Sequence, residues 1–405
     1  MQLIDLGILC ALGADAPEVW QNALRGSRAG MQPCALTINQ GEPQIAGQVN
    51  DAALPPLQDL VPAMATRNNQ LAAAAYAQIA TTVDALRQQY GAERIAVIIG
   101  SSTSGIREGE AALAHYQAHQ QLPDDFYYGM QEMYSPAEFI ADLAGVSGPA
   151  YSISTACSSS ARALMSARAM LRADLADVVI VGGVDSLCRL TLNGFHALES
   201  ISASYCRPFS RNRDGINIGE GAALFVATKD LTTQPSATKA PAVTLTGAGH
   251  SSDAYHMTAP EPRGRGAIAA ITTALADAGI SPQQLGYINL HGTGTPLNDA
   301  MESNAITAVG AAQVAASSTK ALTGHTLGAA GAIEAGLCWL ALRSERGELP
   351  LHVWDNQIDP ELAPISLYDT QKTTATTAIE HCLSNSFAFG GNNVALVFSK
   401  AQNGE

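Results

Sequence analysis

Charged and aromatic side chains are scarce in this sequence of 405 residues, and acidic side chains outnumber basic ones. Charged residues make up 14% and aromatic residues 5% of the chain, and 36 Asp and Glu against 22 Lys and Arg leave a formal net charge of −14. A general nucleic-acid binder needs a basic face, so we expect no nucleic-acid partner. The hydrophobic residues, 47% of the chain, are mostly small, which predicts a closely packed α/β core in two or three domains.

The chain also lacks paired cysteine spacings and long apolar runs. Its seven cysteines are scattered without a Cys-x-x-Cys motif, which argues against a disulfide framework and favours a reduced, cytoplasmic protein. The opening residues MQLIDLGILCALG carry no basic leader, and no segment approaches the ~18 uninterrupted apolar residues of a membrane helix. We therefore expect neither export nor membrane anchoring.

Several common catalytic motifs are missing as well. GHTLGAAG (324–331) lacks the Gly-Lys-Ser/Thr ending of a phosphate-binding loop, and GSSTSG (100–105) is not the nucleophile elbow of the α/β-hydrolases. No Gly-x-Gly-x-x-Gly follows a predicted strand. Metal binding is a poor fit, because His-Glu-x-x-His and clustered Cys/His spacings are absent. His250, Asp253 and His256 could imitate a metal cluster, but we interpret them as a polar loop.

Short apolar runs alternate with alanine-rich stretches along the chain. This alternation predicts a layered α/β protein whose sheets are mostly buried. The polar, proline-containing segment 228–243 predicts a boundary between an N-terminal half of residues 1–235 and a C-terminal half of residues 236–405. The predicted strands are 94–100, 177–183, 222–227, 287–292 and 393–398, and the predicted helices are 69–88, 157–172 and 265–278.

Two stretches of similar design suggest that the halves are related. ISTACSSSARALMSARAMLR (153–172) and SSTKALTGHTLGAAGAIEAG (317–336) both contain a Ser-Thr turn, continue through small residues and end in an apolar helix. With the two stretches in register, Cys157 falls near the turn around His325. By itself this similarity is weak evidence of duplication.

The heptapeptide STACSSS (154–160) surrounds one thiol, Cys157, with small and hydroxylated residues. We expect a strand to end near Thr155 and a helix to start at Cys157. The unpaired N–H groups and partial positive charge of a helix N-terminus favour thiolate over thiol and could hold a developing oxyanion. A buried structural cysteine is the alternative, and this setting alone leaves the two interpretations in balance.

Two histidines stand on turns between predicted strands and helices. His291 follows the strand in NLHGTGTP (289–296), and His325 lies on a glycine-rich turn with Lys320 before it and Glu334 after it. A single histidine is usually a satisfied core or surface residue. Two histidines in such similar settings are less easily dismissed.

A pair of carboxylates follows the first of these histidines. Asp299 and Glu302 in LNDAMES lie three residues apart, on one face of a predicted helix. A structural role is the better interpretation, and an acid/base pair is the alternative.

Together these residues resemble the β-ketoacyl-acyl-carrier-protein synthases, the condensing enzymes of the thiolase fold. The matching blocks run in the family's order and spacing, and the similarity covers essentially the whole chain. The Cys-His-His set is similar to that of the elongating fatty-acid and polyketide enzymes, whereas initiating synthases of this fold use Cys-His-Asn. The blocks are STACSSS (154–160), RPFSRNRDGINIGEGAA (207–223), HGTGTPLND (291–299), STKALTGHTLGAAGAIEA (318–335) and SNSFAFGGNN (384–393).

The resemblance implies a thiolase-like α/β fold with two related βαβαβαββ halves in α-β-α-β-α layers. It also implies an acyltransferase that performs a decarboxylative Claisen condensation. Cys157 would take an acyl chain from a carrier-protein thioester, and malonyl-carrier protein would then lose carbon dioxide and attack it, giving a 3-oxoacyl-carrier protein. The backbone N–H groups of Cys157 and Phe389 would form the oxyanion hole, and His291 and His325 would stabilise the enolate.

The same resemblance assigns supporting roles. Lys320 and Glu334 would form a buried ion pair that fixes the charge state near His325, and Thr293 and Thr295 would grip the pantetheine arm. No metal or dissociable cofactor is implied, because the phosphopantetheine arrives attached to the acyl carrier protein. Some arginines would dock the acidic carrier protein, although a solvated or structural role is at least as good an interpretation for any single one of them. The implied gating residues are Phe387, Phe389, Asp253 and Thr258, and the implied carrier-docking residues are Arg67, Arg207, Arg211 and Arg213.

Four features depart from the family's usual pattern. Ala388 stands where glycine is usual, and its Cβ disfavours positive φ, so we expect a stiffer gate. Asn392 replaces a common threonine, and Ser210 replaces the usual aspartate. HGTGTP (291–296) is more similar to polyketide-type synthases than to common fatty-acid elongators. The departures weaken the case for housekeeping fatty-acid synthesis and leave a polyketide or polyene pathway, such as aryl polyene assembly, open.

Two rival functions are distinguishable by their cysteines. A thiolase acting on coenzyme A esters would need a second cysteine near the C-terminus in a Cys-Gly setting, whereas Cys382 stands in EHCLSN. A non-catalytic chain-length factor would lack the nucleophile. We expect an acyl carrier protein as partner, and either a second copy of the chain or a chain-length-factor-like subunit.

Overall fold

The computed structural model describes residues 1–37, 41, 43–229, 242–369 and 378–401, and within these ranges strands alternate with helices as the sequence predicted. The expected boundary between residues 235 and 236 lies outside the described residues. The strands are β1 Gln2–Cys10, β2 Met31–Thr37, β3 Pro43–Gly47, β4 Ile95–Gly100, β5 Ala150–Ile153, β6 Val178–Asp185, β7 Gly221–Thr228, β8 Val243–Ser252, β9 Tyr287–Asn289, β10 Ala316–Ser317, β11 His381–Ala388 and β12 Asn392–Lys400. The helices are α1 Ala16–Arg25, α2 Arg67–Tyr90, α3 Ile106–His119, α4 Ser135–Ala144, α5 Ser159–Arg172, α6 Arg189–Ala197, α7 Arg265–Ala278, α8 Pro296–Ala308, α9 Lys320–Thr323 and α10 Ala330–Arg343.

Apart from the β2–β3 hairpin, the described strands form two copies of one pattern. Their order is β10-β9-β11-β12-β8-β1-β7-β6-β4-β5, so each half, numbered along its own chain, has the order 3-2-4-5-1. In each half the second, third and fourth strands are parallel, and the fifth is antiparallel to both of its neighbours. The halves meet where Gln2 pairs with Thr244 and Leu3 with Val243. The identical order and directions confirm the two related halves that the resemblance implied.

The helices complete the expected five layers. Helices α5 and α10 pack against each other in the middle, α5 on β4 and β6 and α10 on β7 and β11. One outer layer contains α2 and α4, which cover β1, β4 and β7, and the other contains α7 and α8 beside β8 and β12. The order of layers is therefore α-β-α-β-α.

Small residues allow the central layer to pack closely. A Cβ on Gly183 would lie 2.5 Å from the Cβ of Ser160, and a Cβ on Gly331 would lie 2.8 Å from the backbone nitrogen of Ala161. Both distances are shorter than a van der Waals contact, so these positions require glycine. The backbone N–H of Ala332 donates to Ser160 Oγ at 2.8 Å. Small residues at these positions therefore allow α5 to approach both β6 and α10 closely.

Helix α2 is the longest described helix and extends beyond its predicted range of 69–88. It runs over Arg67–Tyr90, because Thr66 caps its start by accepting the backbone N–H of Asn69 at 3.1 Å and Gly91 follows its end. None of the described helices is long and apolar enough to cross a membrane.

Candidate active site

Cys157 lies in a tight turn between β5 and α5, and the hydroxyl groups around it hold that turn. Ser159 Oγ accepts the backbone N–H of Thr155 at 2.9 Å and donates to Ala156 O at 2.6 Å. Ser158 Oγ donates to Thr155 O at 2.9 Å. Ala156 has a φ of 52°, a left-handed conformation that costs a non-glycine residue ~1 kcal/mol. The hydroxylated residues around the thiol therefore build the strained turn that presents its sulfur.

The thiol is harder to ionise than the sequence suggested. Helix α5 begins at Ser159, so Cys157 precedes the helix and does not lie in its first turn. Burial raises the pKa of the Cys157 thiol to about 11, and the charge of Lys320 and the backbone N–H groups of Phe389 and Cys157 oppose this only in part. The prediction that the helix N-terminus favours the thiolate is therefore wrong for the resting site, because desolvation outweighs it.

His325 lies beside the thiol. Its Nε2 is 3.0 Å from Sγ of Cys157. The backbone N–H of His325 donates to Asn217 O at 2.7 Å, and its carbonyl accepts the N–H of Gly219 at 2.9 Å, which fixes the turn to the segment before β7. Burial, with the charge of Lys320, lowers the pKa of His325 well below its ordinary value. The imidazole is therefore neutral at neutral pH.

His291 completes the group from the loop after β9. Glu302 accepts the backbone N–H groups of His291 and Gly292 at 2.8 and 2.7 Å, which holds the loop. The ring is edge-on to that of His325, with centroids 5.4 Å apart and an interplanar angle of 83°. Lys320 Nζ lies 3.3 Å from Nδ1 of His291. Because an ammonium group can only donate, Nδ1 accepts this hydrogen bond and Nε2 carries the proton.

Lys320 and Glu334 form a buried ion pair, as the resemblance implied. The ammonium group hydrogen-bonds to His291, and its charge lowers the pKa of both His291 and His325. The pair therefore acts on both imidazoles, with its direct contact to His291. Since an unpaired buried charge is costly, each member of the pair needs the other.

The three reactive side chains converge on one point. Sγ of Cys157 and a ring nitrogen of each of His291 and His325 lie within 4.8 Å of one another. Such a spacing could also suit a metal ion, but the proton that Lys320 imposes on Nε2 of His291 leaves that nitrogen without a lone pair. The chemistry of the set therefore fits an acyl group better than a metal. The expected absence of a metal stays a prediction.

A cavity of about 330 Å³ opens over the three side chains. The hydroxyl oxygens of Thr293 and Thr295 lie 2.9 Å apart in its wall. A second cysteine does not line it: Cys382 is fully buried in the central core beside Cys338. The site therefore lacks the second cysteine of a thiolase. The predicted binding and gating residues in the cavity wall are Asp253, Thr258, Thr293, Thr295, Phe387 and Phe389.

The loop that carries Phe389 is tied to its neighbours. The backbone N–H of Asp253 donates to Gly391 O at 2.9 Å, and Asn393 Nδ2 donates to Asp253 Oδ1 at 2.7 Å. The ring of Phe389 packs on Phe195, with centroids 5.4 Å apart. The structure thus brings the predicted gating residues together at the cavity, while their movement stays a prediction.

Two departures from the family pattern have structural explanations. Ala388 has a φ of −102°, a conformation in which a Cβ is not strained, so the alanine itself does not stiffen this state of the gate. Ser210 Oγ donates to Asp355 Oδ1 at 2.7 Å. A distant segment therefore supplies a carboxylate beside position 210.

Two of the four arginines predicted to dock a carrier protein are engaged inside the fold. Arg67 is buried and pairs with Glu220 at 2.6 Å, and the largely buried side chain of Arg213 pairs with Asp359. The docking prediction is wrong for these two, because a paired and buried guanidinium cannot meet an acidic partner. The arginines that keep exposed surface, and for which docking stays a prediction, are Arg207 and Arg211.

Asp299 and Glu302 are structural, as the sequence interpretation preferred. Both carboxylates are buried, and Asp299 accepts the backbone N–H groups of Phe209 at 2.7 Å and Gly294 at 3.2 Å. With Glu302 holding the start of the His291 loop, the two carboxylates position that loop from α8.

Asp185 is a buried carboxylate that the sequence analysis missed. It ends β6, accepts the backbone N–H and the hydroxyl of Thr103 at 2.7 Å, and accepts the backbone N–H of Ala329 at 3.0 Å. Asp185 therefore ties the loop after β4 to the turn that precedes α10. An acidic residue at the end of the fully apolar run VVIVGGV was the signal that could have revealed it.

Comparisons with known proteins agree with this geometry. Residues 4–231 match the family model for the Beta-ketoacyl synthase N-terminal domain, and residues 242–352 match that for the Beta-ketoacyl synthase C-terminal domain. The chain is 31% identical to 3-oxoacyl-[acyl-carrier-protein] synthase 2 of Staphylococcus aureus strain COL, over 98% of this chain and 97% of the relative. It is 32% identical to the synthase of the same name from Coxiella burnetii, over 98% of both chains.

Solved structures are similar over the full length. A chain of the solved complex of the ketosynthase ApeO with its chain length factor ApeC, from Xenorhabdus doucetiae, superposes with a TM-score of 0.90 at 44% identity, covering 99% of this chain and 98% of that chain. The ishigamide ketosynthase/chain length factor superposes with a TM-score of 0.84 at 25% identity, covering 99% of each.

Two rival functions can now be judged. The site holds one cysteine, which is unlike a thiolase, and it retains the nucleophile and both histidines, which is unlike a non-catalytic chain-length factor. The fold, the convergent Cys-His-His set and the full-length relatives all agree with a decarboxylative Claisen condensation. The chain belongs to the β-ketoacyl synthase family and is a condensing acyltransferase.

Proposed function

We propose that this chain condenses an acyl group held on Cys157 with malonyl-carrier protein, and that it works in a polyketide pathway of the aryl polyene type. The observation that carries the residue roles is the convergence of the Cys157 sulfur with ring nitrogens of His291 and His325 within 4.8 Å. The observation that supports the pathway is the 44% identity, over nearly the whole chain, to a chain of the ApeO–ApeC ketosynthase complex.

Acyl transfer begins at the sulfur of Cys157. A new C–S bond forms at the carbonyl carbon of the acyl-carrier thioester, and the negative charge moves to the carbonyl oxygen. The backbone N–H groups of Cys157 and Phe389, which already lower the pKa of the thiol, would donate hydrogen bonds to that oxygen. The bond to the carrier's pantetheine sulfur then breaks, and the thiol proton leaves with that sulfur. The acyl chain remains on Cys157.

Decarboxylation uses the two histidines. Carbon dioxide leaves the malonyl thioester, and the electron pair of the broken C–C bond becomes an enolate. The Nε2–H of His291, whose position Lys320 imposes, would donate to the enolate oxygen together with His325. Each such donor contributes roughly 2.7–4 kcal/mol to stabilising the developing charge. The carbanion then attacks the acyl-Cys157 carbonyl, and the C–S bond to Cys157 breaks. The 3-oxoacyl product leaves on the carrier, and the departing thiolate takes a proton from solvent, which regenerates the thiol.

The cavity also suits a substrate delivered on a long arm. Thr293 and Thr295 lie in its wall with their hydroxyls 2.9 Å apart, which supports their role in binding pantetheine. No dissociable cofactor is part of this proposal, since the phosphopantetheine belongs to the carrier protein. The proposal also places the protein in the cytoplasm, where its unpaired cysteines would stay reduced.

A chain-length-factor-like subunit is the second partner in the proposal. ApeO was solved with such a factor, and so was the ishigamide ketosynthase. The similar ketosynthase of the AntDE:AntF structure, at 25% identity, is in complex with an acyl-carrier protein. By this similarity we expect the active protein to be a heterodimer, with a homodimer as the alternative.

Intact-mass analysis tests the nucleophile and the pathway together. The protein is incubated with a panel of carrier proteins loaded with saturated, polyunsaturated and aryl-primed acyl groups. We expect the mass of a polyunsaturated or aryl-primed acyl group to appear on the wild-type chain and to be absent from Cys157→Ala. Acylation of the Cys157→Ala variant would refute the nucleophile. Acylation by saturated chains alone would refute the pathway while leaving the condensing role intact.

A further inference from the structure

A buried carboxylate lies between the turn that presents Cys157 and the turn that presents His325. Asp185 is fully buried at the end of β6, and it takes part in no step of the reaction described above. None of its hydrogen bonds, within the part of the chain that the structure describes, reaches the thiol or an imidazole. Any influence of Asp185 on the chemistry must therefore act through the two turns that it holds.

One oxygen of this carboxylate holds the loop after β4, in the first half of the chain. Its Oδ1 accepts the backbone N–H groups of Ser102 and Thr103 at 2.8 and 2.7 Å, and the hydroxyls of Ser101 and Thr103 at 2.9 and 2.7 Å. Ser102 Oγ in turn donates to Ala156 O at 3.3 Å. Ala156 directly precedes the nucleophile and has the left-handed φ of 52°. The loop therefore supports the strained turn beside the sulfur.

The other oxygen holds the turn of the second half. Its Oδ2 accepts the backbone N–H of Ala329, four residues after His325, at 3.0 Å. The intervening turn contains Leu327, whose φ of 51° is also left-handed. Gly328 lies so close to the carboxylate that a Cβ there would be 2.7 Å from Oδ2. One carboxylate is therefore in direct contact with segments of both halves that lead to reactive side chains.

All the hydrogen-bonding partners named above are donors, which suits an ionised carboxylate. Such a group only accepts hydrogen bonds, whereas a carboxamide has one accepting oxygen and a donating NH2 group. Burial raises the pKa of Asp185 to about 6, and the hydrogen bonds on Oδ1 oppose this rise, so the carboxylate is mostly ionised at neutral pH. An asparagine could keep the donors of the first half only by turning its NH2 group toward the N–H of Ala329. Two donors would then face each other at the turn of the second half.

We propose that Asp185 is a positioning residue of the condensation, which sets the place of the His325 imidazole relative to the Cys157 sulfur by holding both turns on one carboxylate. The quantity that this link maintains is the distance of 3.0 Å between Nε2 and Sγ. The inference rests on the proposed function, because a site that stabilises an enolate needs the imidazole at a defined place. A misplacement of about 1 Å can lower a rate by about 100-fold, so a residue that touches no substrate can still control the reaction.

An isosteric substitution with a matched control tests this role. Asp185→Asn is compared with Asp277→Asn. Asp277 also joins the halves, because it pairs with Arg168 of α5 and accepts the backbone N–H of Ala248 in β8 at 2.9 Å. That link lies toward the end of α5 that is far from Cys157. The variants are purified in the assembly that the wild-type chain forms. Carbon dioxide release from malonyl-carrier protein, acylation of the thiol by acyl-carrier protein, and stability in urea are measured for each.

The expected result is a split between the two chemical steps. We expect Asp185→Asn to lower kcat for carbon dioxide release about 10- to 100-fold, with KM for malonyl-carrier protein and the acylation rate within about threefold of wild type. The His325 turn loses its hydrogen bond in this variant, whereas the loop after β4 keeps its acceptor. Ser102→Ala removes the hydroxyl that reaches Ala156 O and should show the opposite pattern, with slower acylation and retained carbon dioxide release. Asp277→Asn should keep both rates even if its stability falls.

The outcomes separate this proposal from the function on which it rests. Carbon dioxide release at the wild-type rate from Asp185→Asn would overturn the positioning role. An equal fall of both steps, or the same fall in Asp277→Asn, would show that the carboxylate only stabilises the fold and would overturn it as well. If Asp185→Asn does not fold, Ser102→Ala decides: slower acylation supports the link to the Cys157 turn, and acylation at the wild-type rate refutes it. A wild-type protein that released no carbon dioxide from malonyl-carrier protein would instead refute the proposed function.

Discussion

The two halves of the molecule share one strand order but place different chemistry at the same point of it. In each half a central helix follows the third strand: α5 follows β5, and α10 follows β10 after the short helix α9. The turn before α5 presents the Cys157 sulfur, whereas the segment before α10 presents the His325 imidazole. Sγ of Cys157 and Nε2 of His325 lie 3.0 Å apart. Equivalent positions of a repeated scaffold thus face each other across the central layer.

The comparison also separates two ways of holding a reactive group. The first half uses neutral hydroxyls, with Ser158 and Ser159 bonded to the backbone of the Cys157 turn. The second half uses buried charge, with the Lys320–Glu334 pair beside His291. The hydroxyls place no charge beside the thiol, while the ammonium donates to one nitrogen of an imidazole and so keeps that nitrogen unprotonated. The difference suits a nucleophile in one half and hydrogen-bond donors in the other.

The largest effect should come from removing the reactive group of each half in turn. Cys157→Ala should lower condensation by on the order of 10³-fold or more, because no acyl group can be held. His325→Ala should lower carbon dioxide release from malonyl-carrier protein by on the order of 10²–10³-fold, because an enolate donor is lost, and should retain acylation of Cys157. Carbon dioxide release and intact mass measure the two steps. Unchanged carbon dioxide release from His325→Ala would contradict the division of labour between the halves.

The next largest effect should come from removing one member of the buried ion pair in the second half. Lys320→Met leaves Glu334 buried without its partner and should destabilise the protein by about 3–5 kcal/mol in urea unfolding. The double variant Lys320→Met/Glu334→Leu should recover most of this stability without recovering decarboxylation, because Nε2–H of His291 is no longer imposed. If the double variant decarboxylated at the wild-type rate, the ion pair would have only a structural role.

A smaller effect should appear in the pH dependence of the Cys157 thiol in the first half, compared with the histidines of the second half. The pKa of Cys157 is raised to about 11 by burial, so the thiol is protonated at neutral pH and its reactive fraction grows as pH rises. The rate of Cys157 alkylation by iodoacetamide should therefore increase ~tenfold per pH unit from pH 7 toward pH 10. The pKa values of His291 and His325 are lowered, so neither imidazole changes charge in this range. A plateau of the rate near pH 7, with Cys157→Ala as the background, would show that the thiolate already dominates.

The smallest effect should come from disturbing the packing between the central helices of the two halves. Gly331→Ala should cost about 1–3 kcal/mol of unfolding free energy, because the new Cβ on α10 would lie 2.8 Å from the backbone nitrogen of Ala161 in α5. Gly194→Ala in α6 is the matched control, since a Cβ there would meet nothing within 4 Å. The control should be neutral or stabilising by up to about 1 kcal/mol, because alanine favours a helix. Equal stability of both variants would mean that the central layer yields more easily than its distances suggest.

Local features of the fold were predictable because they depend on short stretches. The apolar runs that became β4, β6, β7 and β12 are fully or almost fully buried, so composition alone revealed them. Strand β1 was harder to predict, since Asp5 and Gly7 interrupt its apolar pattern. Gly7 is explained only by the long helix that crosses it, where a Cβ would lie 2.0 Å from Ala75 O.

The site was predictable in its members and not in its electrostatics. Cys157, His291 and His325 stand in motifs, so the resemblance placed them without a structure. The pKa of the thiol depends on burial by segments far along the chain, which no motif encodes. Arg67 illustrates the same limit, because its partner Glu220 is 153 residues away. Charge on a surface and charge in an ion pair look alike in a sequence.

The two backbone N–H groups that lower the pKa of the thiol have a consequence for how such a protein could arise. One N–H comes from Cys157 in the first repeat and the other from Phe389 in the second. A half-length ancestor could have assembled this arrangement only by associating with another copy, at the entropic cost of bringing two chains together. Fusion into one polypeptide makes that association intramolecular, with a high effective concentration that does not fall on dilution. It also frees each copy to diverge, one toward attack and one toward stabilising charge.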